Sequence, residues 1–268
     1  MVELFEQDME TNDRQSSKGN QLKWLNGRTW YKADFTGYEG LSEYAVSNLL
    51  ERSTLPADSY ILYQTEEISY HQNKYLGCSS EDFRPKGYQL ITLERLFHNV
   101  YGESLNKSIY AIKGTEERIS FTVNQIVRIT GLKDFGKYLS ELLTIDAFFL
   151  NEDRHTHNIA VLMDAAGKYE YCPIFDNGAA LCSDTTMDYP LTMQTEAMLT
   201  QVKSKTFCAD FDEQLDAVEY LYGQHIRFLF DKKDVECLLK QEKYYPEEIK
   251  QRVMQLLLLQ MRKYAYLW

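Results

Sequence analysis

The residues with the most chemistry in them stand in two short clusters. The first is Asn151-Glu152-Asp153-Arg154-His155-Thr156-His157-Asn158, which follows the wholly apolar turn Ala147-Phe148-Phe149-Leu150 and precedes the strand-like run Ile159 to Met163. The second, Asp176-Asn177-Gly178, closes another strand-like run that begins at Tyr169, and the turn Asp164-Ala165-Ala166-Gly167-Lys168 separates the two runs. A hairpin over this stretch brings Asn158 and Asp176 to one end. Phosphoryl transfer needs such a set, because it depends on positioning and charge neutralisation more than on covalent help. In this reading Asp153 orients and deprotonates the attacking hydroxyl. Asn158 and Asp176 are hard oxygen donors suited to Mg2+.

The step from Asp153 to Asn158 has the D-x-x-x-x-N spacing of kinase catalytic loops, and Asp176-Asn177-Gly178 stands where kinases carry a metal-binding D-F-G. A site of this kind also needs a strand lysine for the α- and β-phosphates and a helix glutamate to hold that lysine. Lys32 and Glu43 are the candidates. The small polar run Ser16-Ser17-Lys18-Gly19-Asn20 could cover the phosphates with backbone N–H groups, with Ser17 and Gly19 as the expected contacts.

The elements that must position these groups follow from pattern. Leu22-Lys23-Trp24 and Thr29 to Ala33 flank Asn26-Gly27, a hairpin signal that puts Lys32 on a strand. Gly40-Leu41-Ser42 opens an apolar run of helical period, with Ser42 as the expected cap and Glu43 in the first turn. Two β-rich runs, Tyr60 to Tyr63 and Lys74 to Cys78, surround Glu66-Glu67, and the polar stretch Ser79-Ser80-Glu81-Asp82 is the expected hinge. Helical spacing dominates after about residue 90, with helices expected over Phe121–Thr130, Phe135–Leu150, Phe211–Phe230 and from Pro246 to about Tyr264. The fold class expected is α+β and protein-kinase-like: a small mixed nucleotide-binding lobe over 1–83 and a larger, mainly helical catalytic lobe over 84–268.

The combination N-x-D-R-H-x-x-N, then a hairpin into Phe175-Asp176-Asn177-Gly178, resembles the C-terminal catalytic region of the HipA-like serine/threonine kinases, the toxin kinases of bacterial toxin-antitoxin systems. Tyr31-Lys32-Ala33-Asp34 ahead of a Glu-bearing helix, and Phe207 to Gln214 against a PF-x-x-D-F-x-x-Q stretch, extend the likeness over residues 20 to 230. The resemblance implies an ATP- and Mg2+-dependent kinase acting on serine or threonine of a protein substrate. It implies Asp153 as catalytic base, His155 and Asn158 beside the phosphates, Asp176 on the metal and Lys32 on the nucleotide. Adenine contacts would fall within Ser79 to Phe83, with Glu81 and Phe83 as candidates. It further implies a small DNA-binding antitoxin as a partner, and autophosphorylation of loop serines, here Ser16 and Ser17, which would place charge where the triphosphate sits. In two respects the chain departs from the family pattern. It begins almost at the phosphate loop, so it resembles the shorter, single-domain or split members, and that loop lacks a multi-glycine pattern.

Composition bounds the alternatives. The chain has 268 residues, 44% hydrophobic and 26% charged, which is a globular composition and excludes collagen-like and disulfide-scaffold readings. Its net charge of −11 argues against direct nucleic-acid binding. Five cysteines, odd in number and without a C-x-x-C pair, suit a reducing cytoplasm. No apolar run approaches the roughly 20 residues of a membrane span, and the acidic start does not look like a signal peptide. Taken singly, Asp-Asn-Gly is a turn, Lys32 an exposed strand lysine and Glu43 a first-turn helix charge. His155 and His157 lack the third His or nearby Cys that a transition-metal site would need. Ser183 to Thr206 occupies the place of an activation segment, or is a long loop. Two other functions stay open: a small-molecule kinase of aminoglycoside or choline type, and a non-catalytic binding module.

Overall fold

The computed structural model describes residues 1–9 and 21–268; Ser16, Ser17 and Gly19 lie outside them. The strands are β1 (Val2–Glu3), β2 (Lys23–Asn26), β3 (Thr29–Ala33), β4 (Gln64–Tyr70), β5 (Asn73–Glu81), β6 (Gln89–Thr92), β7 (Ala160–Met163) and β8 (Tyr169–Tyr171). The helices are α1 (Glu39–Leu50), α2 (Leu93–Tyr101), α3 (Leu105–Ala111), α4 (Thr115–Thr130), α5 (Phe135–Phe149), α6 (Thr195–Gln201), α7 (Phe211–Tyr222), α8 (Lys232–Gln241) and α9 (Glu247–Lys263). No helix among the described residues is long and apolar enough to cross a membrane.

The chain forms two compact units. One comprises Met1–Asp82, Asp176–Val202 and Arg227–Trp268; the other comprises Phe83–Phe175 and Lys203–Ile226. The compact units are therefore a different partition from the consecutive stretches 1–83 and 84–268, because two later segments return to the first unit.

The first unit is built on a five-stranded sheet of order β1-β4-β5-β3-β2, antiparallel except where β1 runs parallel to β4. Strands β2 and β3 close through a two-residue turn, with Asn26 opposite Thr29 and Gly27 at φ 63°, a left-handed conformation that glycine adopts without cost. Alternation then decides the faces. Trp24, Ala33, Ile68 and Tyr70 point to one side and form a small core with Leu4. Lys32 points to the other side, which α1 covers. Helix α1 is almost wholly buried and lies so close to β5 that a Cβ on Gly40 would come within 2.4 Å of the Gly77 carbonyl carbon.

In the second unit, β6, β7 and β8 form an antiparallel sheet whose Leu90, Ala160, Leu162 and Cys172 make an apolar cluster, with Phe83, Tyr88 and Phe175 against it. Helix α5 is buried on nearly every side and packs on α7 so closely that a Cβ on Gly136 would meet the Tyr222 ring at 2.3 Å.

Several elements differ from expectation. The first strand of the β4–β5 hairpin begins at Gln64 and contains Glu66-Glu67. Tyr60 to Tyr63 lie ahead of it, held by hydrogen bonds between Tyr63 and the α1 side chains of Ser47 and Asn48. Helix α1 starts three residues earlier than its expected cap, so Glu43 is its fifth residue and not in its first turn. Ser42 is buried mid-helix and donates to the Ala180 carbonyl. Ser79, Ser80 and Glu81 are strand residues, so the polar stretch is hydrogen-bonded sheet up to the boundary at Asp82. The helix expected over Phe211–Phe230 stops at Tyr222, where Gly223 has φ 85°, and Phe228 instead bridges to Ser53. Strand β6 has little signal of its own in the sequence, because it is four residues long and runs straight into α2, capped by Thr92.

Candidate functional site

In the first unit, strand, helix and loop meet at Lys32. Its ammonium donates to Glu43 Oε1 at 2.7 Å and to Asp176 Oδ1 at 3.0 Å. The other oxygen of Glu43 accepts from the Asn177 backbone N–H at 2.8 Å, so one helix carboxylate holds both the lysine and the Asp176-Asn177 turn. Burial alone would lower the Lys32 pKa, but Asp176 and Glu43 reverse this and hold it well above the ordinary lysine value. The ammonium also stands 5.2 Å from the ring centre of buried Tyr63. Asp176 sits at φ 63°, a left-handed conformation that aspartate tolerates better than most residues, and Ser183 ties the same turn by donating to the Gly178 carbonyl.

The N-terminus of α1 is fixed by two further carboxylates. Glu39 accepts from the backbone N–H groups of Phe35, Thr36 and Gly37. Asp34 accepts from Gly40 N at 2.6 Å and Tyr245 Oη at 2.7 Å. Burial, with the Glu39 charge, pushes Asp34 up to about 7.

In the second unit, the loop after α5 carries Asp153, His155 and Asn158. The Asn158 side-chain amide donates to the Asp153 carbonyl at 3.0 Å, leaving its Oδ1 as the atom able to ligate a cation. His155 Nε2 lies 3.9 Å from Asp153 Oδ1, and the His155 and His157 rings make an edge contact. The loop is anchored by Arg154, 1% exposed, whose Nε bonds the wholly buried Asp146 of α5 at 3.0 Å. Its Nη1 donates to the carbonyls of Asn158 at 3.2 Å and Phe175 at 2.6 Å. Arg154 thus ties together the segments that enter and leave the β7–β8 pair at its open end. Sequence reading assigned nothing to Asp146 or Arg154, yet one signal was there: a lone carboxylate within the apolar run Leu142 to Leu150 must find a buried partner.

Of the sequence candidates, Lys32, Glu43 and Asp176 are brought together in the first unit, and Asp153, His155 and Asn158 share one loop in the second. Glu81 ends β5 opposite Thr29 and is exposed. Phe83 belongs to the second unit and stacks on Phe175, ring centres 5.9 Å apart. In the stretch from Phe207 to Gln214, Gln214 Oε1 accepts from Phe207 N and Ser204 Oγ, and Asp210 caps α7, so these residues have structural work. Among the described residues no cluster of three His, Cys, Asp or Glu could hold a metal, and all five cysteines are free thiols. Asn158 in the second unit and Asp176 in the first each offer a hard oxygen donor of the kind that Mg2+ takes.

A five-stranded sheet backed by a helix whose glutamate grips a strand lysine belongs to a kinase-like fold, and the comparisons agree. The structure is similar to the proinflammatory kinase CtkA of Helicobacter pylori, with a TM-score of 0.62 and 16% sequence identity over 98% of this chain and 95% of that one. The kinase-like fold expected from the motifs is therefore met. A solved complex of the Shewanella oneidensis toxin-antitoxin proteins HipA and HipB with operator DNA also matches, with a TM-score of 0.47 and 12% identity over 97% of this chain and 63% of that one. No family model and no curated protein matches the sequence.

Proposed function

We propose that this chain is an ATP- and Mg2+-dependent kinase of the HipA-like kind that transfers a phosphoryl group to serine or threonine of a protein. The observation that carries the reading is the double hold on Lys32 by Glu43 and Asp176, with Glu43 also bound to Asn177 N. An ordinary strand lysine has no need of two buried or half-buried acids. In this reading Lys32 binds the α- and β-phosphates, and Asp153 orients the acceptor hydroxyl and takes its proton. Asn158 and Asp176 would hold Mg2+, which supplies charge neutralisation at the phosphates. His155 stands by the phosphates, Glu81 and Phe83 by the adenine, and Ser17 and Gly19 in the phosphate cover. The division into a nucleotide-binding stretch over 1–83 and a catalytic stretch over 84–268 is part of the same proposal.

A small antitoxin is the partner this reading favours, since the HipA structure holds HipB and operator DNA. The net charge of −11 makes DNA contact through such a partner more favourable than direct contact. A cytoplasmic setting agrees with the free thiols.

The test is incubation with labelled ATP and Mg2+ beside a panel of protein and amine acceptors. Label on protein serine or threonine supports the reading, and label on amines only would favour a small-molecule kinase. Mg·ATP binding without any transfer would leave a non-catalytic module.

A further inference from the structure

Tyr63 stands one residue ahead of β4, and a helix fixes its backbone. Its N–H donates to Ser47 Oγ and its carbonyl accepts from Asn48 Nδ2, both at 3.0 Å. Both side chains belong to α1, and Ser47 lies one turn beyond Glu43 on the same face of that helix. The helix that grips Lys32 through Glu43 therefore also sets where the Tyr63 ring stands. Tyr63 is 3% exposed, and the Lys32 ammonium lies over its ring, 5.2 Å from the centre.

Burial, and then the Glu43 charge, push the Tyr63 phenol above its ordinary value, so the ring is neutral near pH 7. A neutral ring attracts a cation through its face, more strongly where water is excluded. Only 12% of the Lys32 side chain is exposed. Its ammonium has three donors, and Glu43 and Asp176 take two of them. If Asp176 turns to the metal, as the kinase reading requires, Glu43 alone of the two acids stays on a flexible side chain. A further carboxylate would restore the hold but repel the phosphates. An aromatic face restores it without adding charge.

Resting on the kinase reading above, we propose that Tyr63 is a positioning residue for Lys32, whose ring face keeps the ammonium in place for the phosphates when Asp176 leaves it. Through Ser47 and Asn48 on one side and Glu43 on the other, α1 holds ring and acid as a single support. Tyr63 acts through Lys32, so it serves phosphate binding and not recognition of the base.

The test is isothermal titration of the full chain against Mg·ATP, inorganic tripolyphosphate and adenosine. It compares wild type with Tyr63→Phe, with Tyr63→Leu, and with a series in which Tyr63 is replaced by phenylalanine carrying successively more ring fluorines. Fluorine withdraws the negative charge of the ring face and scarcely changes its size. Tyr63→Leu is expected to weaken Mg·ATP and tripolyphosphate by roughly three- to thirtyfold, the worth of a cation–π contact shielded from water, with adenosine within about twofold of wild type. Tyr63→Phe keeps the ring and most of the Mg·ATP affinity. Along the fluorinated series the loss deepens step by step at an unchanged unfolding midpoint, which packing alone would not produce. Equal Mg·ATP affinity along that series overturns the assignment of Tyr63 alone, as does a parallel loss of adenosine and ATP. If Tyr63→Leu does not fold, the fluorinated series decides. Wild type that binds neither Mg·ATP nor tripolyphosphate overturns the kinase reading itself and this assignment with it.

Discussion

The roles proposed for Asp153 and Asp176 are separable, and substitutions that keep their shape can tell them apart. Asp153→Asn removes a proton acceptor and leaves the bonds of its backbone to His155 and Asn158 in place. Phosphoryl transfer should fall by about 10²–10⁴-fold, read as loss of label from ATP, while Mg·ATP still binds. Full labelling by this variant would remove the role given to Asp153. Asp34 makes a prediction of a different kind. Its pKa in the fold is about 7 against an ordinary 3.8, so between those values the folded chain keeps a proton that the unfolded chain has lost. This group therefore makes the fold less stable as pH rises from about 4 to 7, and its effect levels off above that. Unfolding free energy measured across this range should decline less in Asp34→Asn than in wild type; parallel curves would count against it. At this scale the sequence displayed candidates by type and spacing, since Asp153 and Asn158 are five positions apart in one loop. It did not display Arg154 as an anchor, because nothing in an exposed-looking Asp-Arg-His string says that the guanidinium is 1% exposed.

Helix α1 acts as the lever that delivers Glu43, and its seat is the glycine contact with β5. Gly40→Ala would set a methyl group 2.4 Å from the Gly77 carbonyl carbon and 2.6 Å from Tyr245 Oη, so the helix must move off the sheet. A destabilisation of about 1–3 kcal/mol is expected in denaturant titration, with weaker Mg·ATP binding as Glu43 withdraws from Lys32. Unchanged stability would mean that α1 is not seated as tightly as its backbone implies. Helix α5 offers a second case. Asp146→Ala leaves Arg154 buried without its carboxylate and should cost about 3–5 kcal/mol, measured by the same titration. Elements of strong local signal were read well: the β2–β3 hairpin from Asn26-Gly27, and α5 and α9 from their apolar period. Those set by distant partners were not, including β6, which needs β7 for its hydrogen bonds, and the segment from Arg227 to Phe230, which leaves helical conformation to meet Ser53.

For the molecule as a whole, the kinase reading predicts coupling between ligand and stability. At a Mg·ATP concentration a hundred times its Kd, wild type should gain about 2.7 kcal/mol of unfolding free energy, seen as a raised melting temperature. Asp176→Asn, which turns the carboxylate proposed to bind the metal into a neutral amide, should gain markedly less at the same concentration, and an equal gain would count against that role for Asp176. Sequence by itself determined what short-range rules govern: which residue types stand within a few positions of one another, which runs have strand or helix period, and where a glycine turn folds a hairpin. Those rules suffice for the Asp153–Asn158 loop and for the strand that bears Lys32. Only the tertiary structure decided that Lys32 meets Asp176, 144 positions away, and that two later segments return to the first unit. Such contacts depend on side-chain reach, on how closely α1 approaches β5, and on which charges are stripped of water, and none of these is written in spacing along the chain.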